Sequence, residues 1–141
     1  MAFILIVEGD ESISQRASDA LTAAGHACGS VGAADEARTL LRWRNPELML
    51  IDRDLAEVSA EQLLGELAPD QRDIPIIMLS AVGGAGDGVG KVAHGVQDCI
   101  RKPFDPGFLV WRVDHALEVH AAKARRVEPI ERRNAAGPHG W

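Results

Sequence analysis

Short apolar runs alternate with amphipathic stretches along this chain. Phe3-Ile4-Leu5-Ile6-Val7 has the length of a strand and ends in an acidic turn, Glu8-Gly9-Asp10-Glu11. Ser12 is the expected N-cap of a helix that buries Ile13, Ala17, Ala20 and Leu21 and stops at Gly25. A weaker second strand follows over Ala27–Val31, with Gly29 counting against it. Residues 33–44 read as a helix with Ala37, Leu40 and Leu41 inward, closed by Asn45-Pro46. Leu48-Met49-Leu50-Ile51 is the third strand, followed by Asp52. A helix over about residues 60–67 ends before Pro69, and residues 74–79 form a fourth strand with Pro75 near its start. The glycine-rich stretch 83–90 leads into a poor helix ending near His94. Residues 96–101 make a short fifth strand. Residues 108–125 make a helix with Leu109, Val113, Ala116, Leu117 and His120 spaced for one face.

Strands alternating with helices imply βαβ crossovers, hence a parallel sheet covered on both faces. The nearly unbroken apolar strands agree, since a strand buried on both faces has no reason to alternate. The expected class is therefore α/β and doubly wound. In such sheets ligands sit at the carboxyl ends of the strands, which points to Glu8-Gly9-Asp10, Asp52, Ser80 and Lys102.

Composition narrows the class. The 141 residues, 46% hydrophobic and 26% charged, suit one globular domain. We assign it residues 1–122 and expect 123–141 to be a basic, flexible tail. Residues 1–122 hold 10 Lys and Arg against 19 Asp and Glu, whereas 123–141 hold 5 against 2. An acidic body argues against nucleic acid as the partner. No apolar run has the length of a membrane span, and the opening run lacks the basic flank of a signal peptide, so a cytoplasmic protein with no membrane contact is expected. Cys28 and Cys99 form no C-x-x-C pair, and the histidines show no metal-ligand spacing with them. The glycines at 83–90 match neither a P-loop nor a dinucleotide fingerprint. Trp43 and Trp111 fall on helices and are expected to pack inward.

The residues at the strand ends suit phosphoryl transfer to a carboxylate. Asp52 would be the nucleophile and form an acyl phosphate. Mg²⁺, a hard cation seeking oxygen ligands, would offset charge on the incoming phosphoryl group. Lys102 would stand as a fixed cation near those oxygens, and the Ser80 hydroxyl would hydrogen-bond one of them.

In this set the sequence closely resembles the receiver domain of bacterial two-component response regulators, over about residues 3–122. The resemblance rests on Ile4-Leu5-Ile6-Val7-Glu8-Gly9-Asp10, Pro46-Glu47-Leu48-Met49-Leu50-Ile51-Asp52, Pro75-Ile76-Ile77-Met78-Leu79-Ser80-Ala81 and Arg101-Lys102-Pro103-Phe104, in that order and at matching intervals. It implies a flavodoxin-like (βα)5 three-layer sandwich of strand order 2-1-3-4-5. It also implies that Asp52 takes a phosphoryl group from a histidine kinase or phosphotransfer protein, with Ser80 and Lys102 in the switch and phosphate-binding roles. Glu8, Asp52 and the main-chain carbonyl of Asp54 would serve the metal. A downstream protein would read the face of the fourth helix, fifth strand and fifth helix, the chain being a monomer or weak homodimer.

The sequence also departs from the family. Gly9 stands where the direct metal ligand is expected, which predicts weakened or absent Mg²⁺ binding unless Asp10 or Asp54 compensates. The loop after the acceptor, Leu55-Ala56-Glu57-Val58-Ser59-Ala60, lacks the family's proline and glycine. The aromatic switch position three residues before the lysine is Cys99. Two functions follow. One is a stand-alone phosphorelay receiver; the alternative is a phosphorylation-independent docking module. An α/β enzyme is disfavoured, because no general acid/base pair or phosphate loop is visible.

Overall fold

The computed structural model describes residues 1–56, 58–81 and 96–136, and side chains as far as Arg125. The element order is β1 (Phe3–Val7), α1 (Glu11–Ala23), β2 (Ala27–Val31), α2 (Ala34–Trp43), β3 (Leu48–Asp52), α3 (Ala60–Gly65), a 3₁₀ turn (Pro69–Gln71), β4 (Ile76–Ala81), β5 (Val96–Lys102) and α4 (Pro106–Ala136). The glycine-rich stretch and its expected short helix lie outside the described residues, as does Glu57.

All paired strands run parallel in the order β2-β1-β3-β4-β5. This is the doubly wound arrangement expected. Every position of β1 and β3 is buried, which explains their unbroken apolar sequence. Alternate residues serve opposite faces. Leu5, Val7, Met49, Ile51 and Met78 join Ala37, Leu41 and Leu63 on one side. Ile4, Ile6, Leu48, Leu50 and Leu79 join Leu21, Leu109 and Val113 on the other. Truncating a fully buried member such as Ile6 to alanine costs about 2–5 kcal/mol.

Local chemistry sets the boundaries, and several differ from the sequence reading. The cap of α1 is Asp10, not Ser12: Asp10 Oδ1 accepts from the backbone N–H of Ser12 at 2.9 Å and of Ile13 at 3.2 Å. The chain leaves α1 through Gly25, whose φ of 98° is open to glycine. Ser59 caps α3 through the N–H of Gln62 at 3.1 Å. Gly29 does not weaken β2, because it makes room. A Cβ there would meet the Phe3 ring at 3.1 Å, and the Arg44 guanidinium lies over that ring, 3.7 Å from its centroid.

Two pairs fasten α4 to the body, one on β5 and one on the loop before β2. Arg112 forks onto the Asp98 carboxylate of β5. His26 Nε2 lies 2.8 Å from Asp114 Oδ1, while His26 Nδ1 accepts from the Ala2 N–H at 3.2 Å. Trp43 and Trp111, expected to pack inward, are 84% and 61% exposed. Helical spacing puts both opposite the buried stripes of their helices. The last helix also runs to Ala136, well past the Arg125 end expected from sequence, in a segment read there as tail. Its Ala, Arg and Glu residues favour helix, against Pro129 in its interior. Among the described residues no helix is long and apolar enough to cross a membrane.

Candidate functional site

Parallel strands end together, so residues distant in sequence meet at the carboxyl edge of the sheet. Glu8 directly follows β1, Asp52 closes β3 and Lys102 closes β5. Lys102 Nζ reaches Glu8 Oε1 at 3.0 Å and Asp52 Oδ1 at 3.3 Å. Glu8 is 2% and Asp52 7% exposed. The remaining donors are local. Glu8 Oε2 accepts from the Asp10 N–H at 3.1 Å, and Asp52 Oδ1 accepts from the Asp54 N–H at 3.0 Å, a turn that carboxylate side chains favour. The Arg53 N–H donates to Leu79 O at 2.8 Å and ties the end of β3 to β4 one residue before Ser80.

Two buried carboxylates share one ammonium, so the cluster carries an excess negative charge. Burial pushes the Glu8 carboxyl above its ordinary value and the charge of Asp52 adds to this, against the pull of the Asp10 N–H and Lys102. Burial pulls Lys102 down, but the hydrogen bond and charge of Glu8, followed by Asp52, outweigh it and leave the ammonium above its usual value.

Ser80 is buried on the neighbouring strand, and its hydroxyl lies 3.6 Å from Cys99 Sγ. Cys99 packs at the margin of the core, where a larger ring would have to displace that contact. Asp10 does not complete a metal site, because its carboxylate caps α1. Asp54 is exposed and contributes its backbone N–H to Asp52. Gly9 supplies no side chain, although a Cβ there would meet nothing closer than Gly32 O at 3.6 Å. Among the described residues no three His, Cys, Asp or Glu side chains group around a common metal position. The donors that do converge are hard oxygens with surplus negative charge, which is the chemistry Mg²⁺ takes, one carboxylate short of a full set.

Sequence reasoning missed two features here. A cavity of about 340 Å³ opens beside Lys102, lined by Ser12, Ile13, Arg16, Ala81, Pro103 and Phe104. Arg16 lies four residues after Ser12, and that helical spacing was the available signal. The Ser80–Cys99 contact follows from the β4–β5 register, which pairs Met78 with Cys99 and Ser80 with Arg101, and no sequence pattern encodes it.

A five-stranded, doubly wound parallel sheet whose strand ends gather a buried carboxylate, a lysine and a second acid defines a flavodoxin-like α/β domain. The chain belongs to the response regulator receiver domain family, whose sequence profile matches residues 4–114. It is 35% identical over 116 residues to the phosphate regulon transcriptional regulatory protein PhoB of Pseudomonas aeruginosa, covering 81% of this chain and 51% of PhoB. It is 34% identical over 116 residues to PhoB of Rhizobium meliloti, with the same coverage. The chain thus spans about half the length of these relatives. The crystal structure of the receiver domain of NtrX from Brucella abortus superposes with a TM-score of 0.75 at 28% identity, over 82% of this chain and 98% of that one.

Proposed function

We propose that the chain is a phosphorelay receiver in which Asp52 accepts a phosphoryl group from the phosphohistidine of a histidine kinase or phosphotransfer protein in the cytoplasm. The observation that carries this reading is the bridge from Lys102 Nζ to both Glu8 and Asp52 at 3.0 and 3.3 Å. An Asp52 oxygen attacks phosphorus, the P–N bond to the donor imidazole breaks, and the electron pair leaves with the ring nitrogen, which takes a proton. Lys102 pairs with the Asp52 carboxylate before transfer and faces the phosphoryl oxygens afterwards. The Ser80 hydroxyl, once it leaves Cys99 Sγ, donates to one of those oxygens. Glu8, Asp52 and the Asp54 carbonyl would hold Mg²⁺, which when bound offsets charge on the transferring group.

Two observations favour the second reading, a docking module that works unphosphorylated. Gly9 withholds a ligand, and Lys102 already balances part of the charge a metal would answer. One experiment separates the readings. The protein is mixed with beryllofluoride or acetyl phosphate over a Mg²⁺ titration while amide shifts near Asp52, Ser80 and Lys102 are followed. The relay reading expects metal-dependent shifts that vanish in Asp52→Asn. Silence to tens of millimolar Mg²⁺ (on the order of weak divalent sites) would leave the docking module.

A further inference from the structure

A groove of about 620 Å³ lies between the end of α2 and the segment that runs from α3 to the 3₁₀ turn. Its residues Asn45 and Gln71 lead toward β3 and β4, which sets it at the amino end of the sheet, away from Asp52. The floor is built in advance. The buried Gln71 side chain donates from Nε2 to Leu41 O at 2.8 Å and to Asn45 Oδ1 at 3.0 Å, while its Oε1 accepts from the Ala68 N–H at 3.1 Å. Arg38 ties α2 to α3 across one side through Glu66 Oε1 at 2.6 Å. A groove already shaped gives up little conformational freedom when it is filled.

The rim differs in charge from the rest of the body. Between Glu36 and Glu47 the chain holds Arg38, Arg42 and Arg44 and no acid, although residues 1–122 carry 19 acids against 10 bases. Glu66 is taken by Arg38, whereas Arg42 forms no ion pair among the described residues. The open charge of the lining is therefore the guanidiniums of Arg42 and Arg44 against the carboxylate of Asp70. Arg44 is held in place over the Phe3 ring. Between these two arginines stands Trp43, its ring 84% exposed, with Leu41 and Leu67 beneath as apolar floor. Tryptophan and arginine are the side chains that carry most of the energy where proteins meet.

We propose that this groove docks a short acidic segment of another protein, with an apolar side chain against Trp43 and carboxylates on Arg42 and Arg44. Charge complementarity selects that occupant. Guanidiniums pair with carboxylates through forked hydrogen bonds, and the ring between them calls for an apolar residue between the acids. Nucleic acid offers anions and planar bases as well, but its length would carry further phosphates across an acidic body. A short segment answers both arginines and the ring without that repulsion. The groove lies apart from the Glu8–Asp52–Lys102 cluster, and its docking stands whether or not Asp52 is phosphorylated.

The probe is a synthetic peptide with a central phenylalanine between glutamates, titrated to about 1 mM into the isotope-labelled full chain and followed by NMR. The expected result is a saturable shift of the Trp43 indole N–H and the Gln71 side-chain amide, with a Kd on the order of 100 µM, while amides around Asp52 stay still. Arg42→Glu weakens binding about tenfold, and Arg42→Lys, which keeps the charge, weakens it less. Trp43→Ala also weakens it about tenfold. Circular dichroism is unchanged in all three, because both side chains are exposed. A peptide with lysines in place of the glutamates does not bind. The proposal is overturned by no saturable shift, by equal binding of the lysine peptide, by binding indifferent to Arg42→Glu, or by a thymidine oligonucleotide that moves Trp43 where the acidic peptide does not.

Discussion

The two ends of the sheet treat charge differently. At the amino end the buried polar groups pair with near neighbours. His26 is held between Asp114 and the Ala2 N–H, and Glu47 Oε1 takes the Phe3 N–H at 3.0 Å. At the carboxyl end two buried acids draw on one lysine, and burial keeps Glu8 above its ordinary value. Matched groups hold a fold together, whereas a surplus of like charge kept out of water persists where something else is to be bound.

Substitution at each end sharpens the contrast. The largest effect is expected from Lys102→Met, which strands two buried carboxylates. It should cost about 3 kcal/mol in urea unfolding and abolish the response to beryllofluoride. A loss confined to stability would break the link between surplus charge and function. His26→Ala at the other end should cost about 2 kcal/mol, from lost packing and two lost hydrogen bonds, while phosphoryl chemistry at Asp52 is unchanged. Smaller again is Gly9→Asp, for which the backbone has room. It should tighten Mg²⁺ binding about tenfold, equivalent to about 1.4 kcal/mol, in a fluorescence or NMR titration.

The smallest effect is a slope. A carboxyl raised in the folded state binds its proton more readily there than in the unfolded chain. The Glu8 contribution therefore favours folding at low pH and is lost as pH rises from about 4.5 through its raised value. Lys102, also raised, contributes stability below about 10.5 that is lost as pH climbs through its folded value. Glu8→Gln should flatten the acid-side slope of unfolding free energy against pH and leave the alkaline limb smaller. An unchanged slope would assign the titration to other groups.

Much of the strand-end cluster was legible in the sequence because topology does the gathering. Apolar runs buried on both faces force a parallel sheet, and a parallel sheet brings the residues after β1, β3 and β5 together whatever their distance in the chain. What stayed illegible depended on local competition. Asp10 had equal reason to be a metal ligand or a helix cap, and the open N–H groups of Ser12 and Ile13 took it. Gly29 looked like a flaw until the Phe3 ring was seen to need its missing Cβ. Residue type points Trp43 and Trp111 to the core, whereas their helical phase points them outward. A basic charge excess points residues 123–141 to a tail, whereas the helix continues through thirteen residues beyond Lys123, Pro129 included.

The sheet's open margins carry a last consequence. β2 at one rim is five residues long and includes Gly29 and Ser30, and β5 at the other exposes Gln97 and Arg101 beside Asp98. Neither rim is a flat apolar ribbon inviting strand-by-strand accretion. Crowded molecules of this chain are thus steered away from fibril growth along either rim.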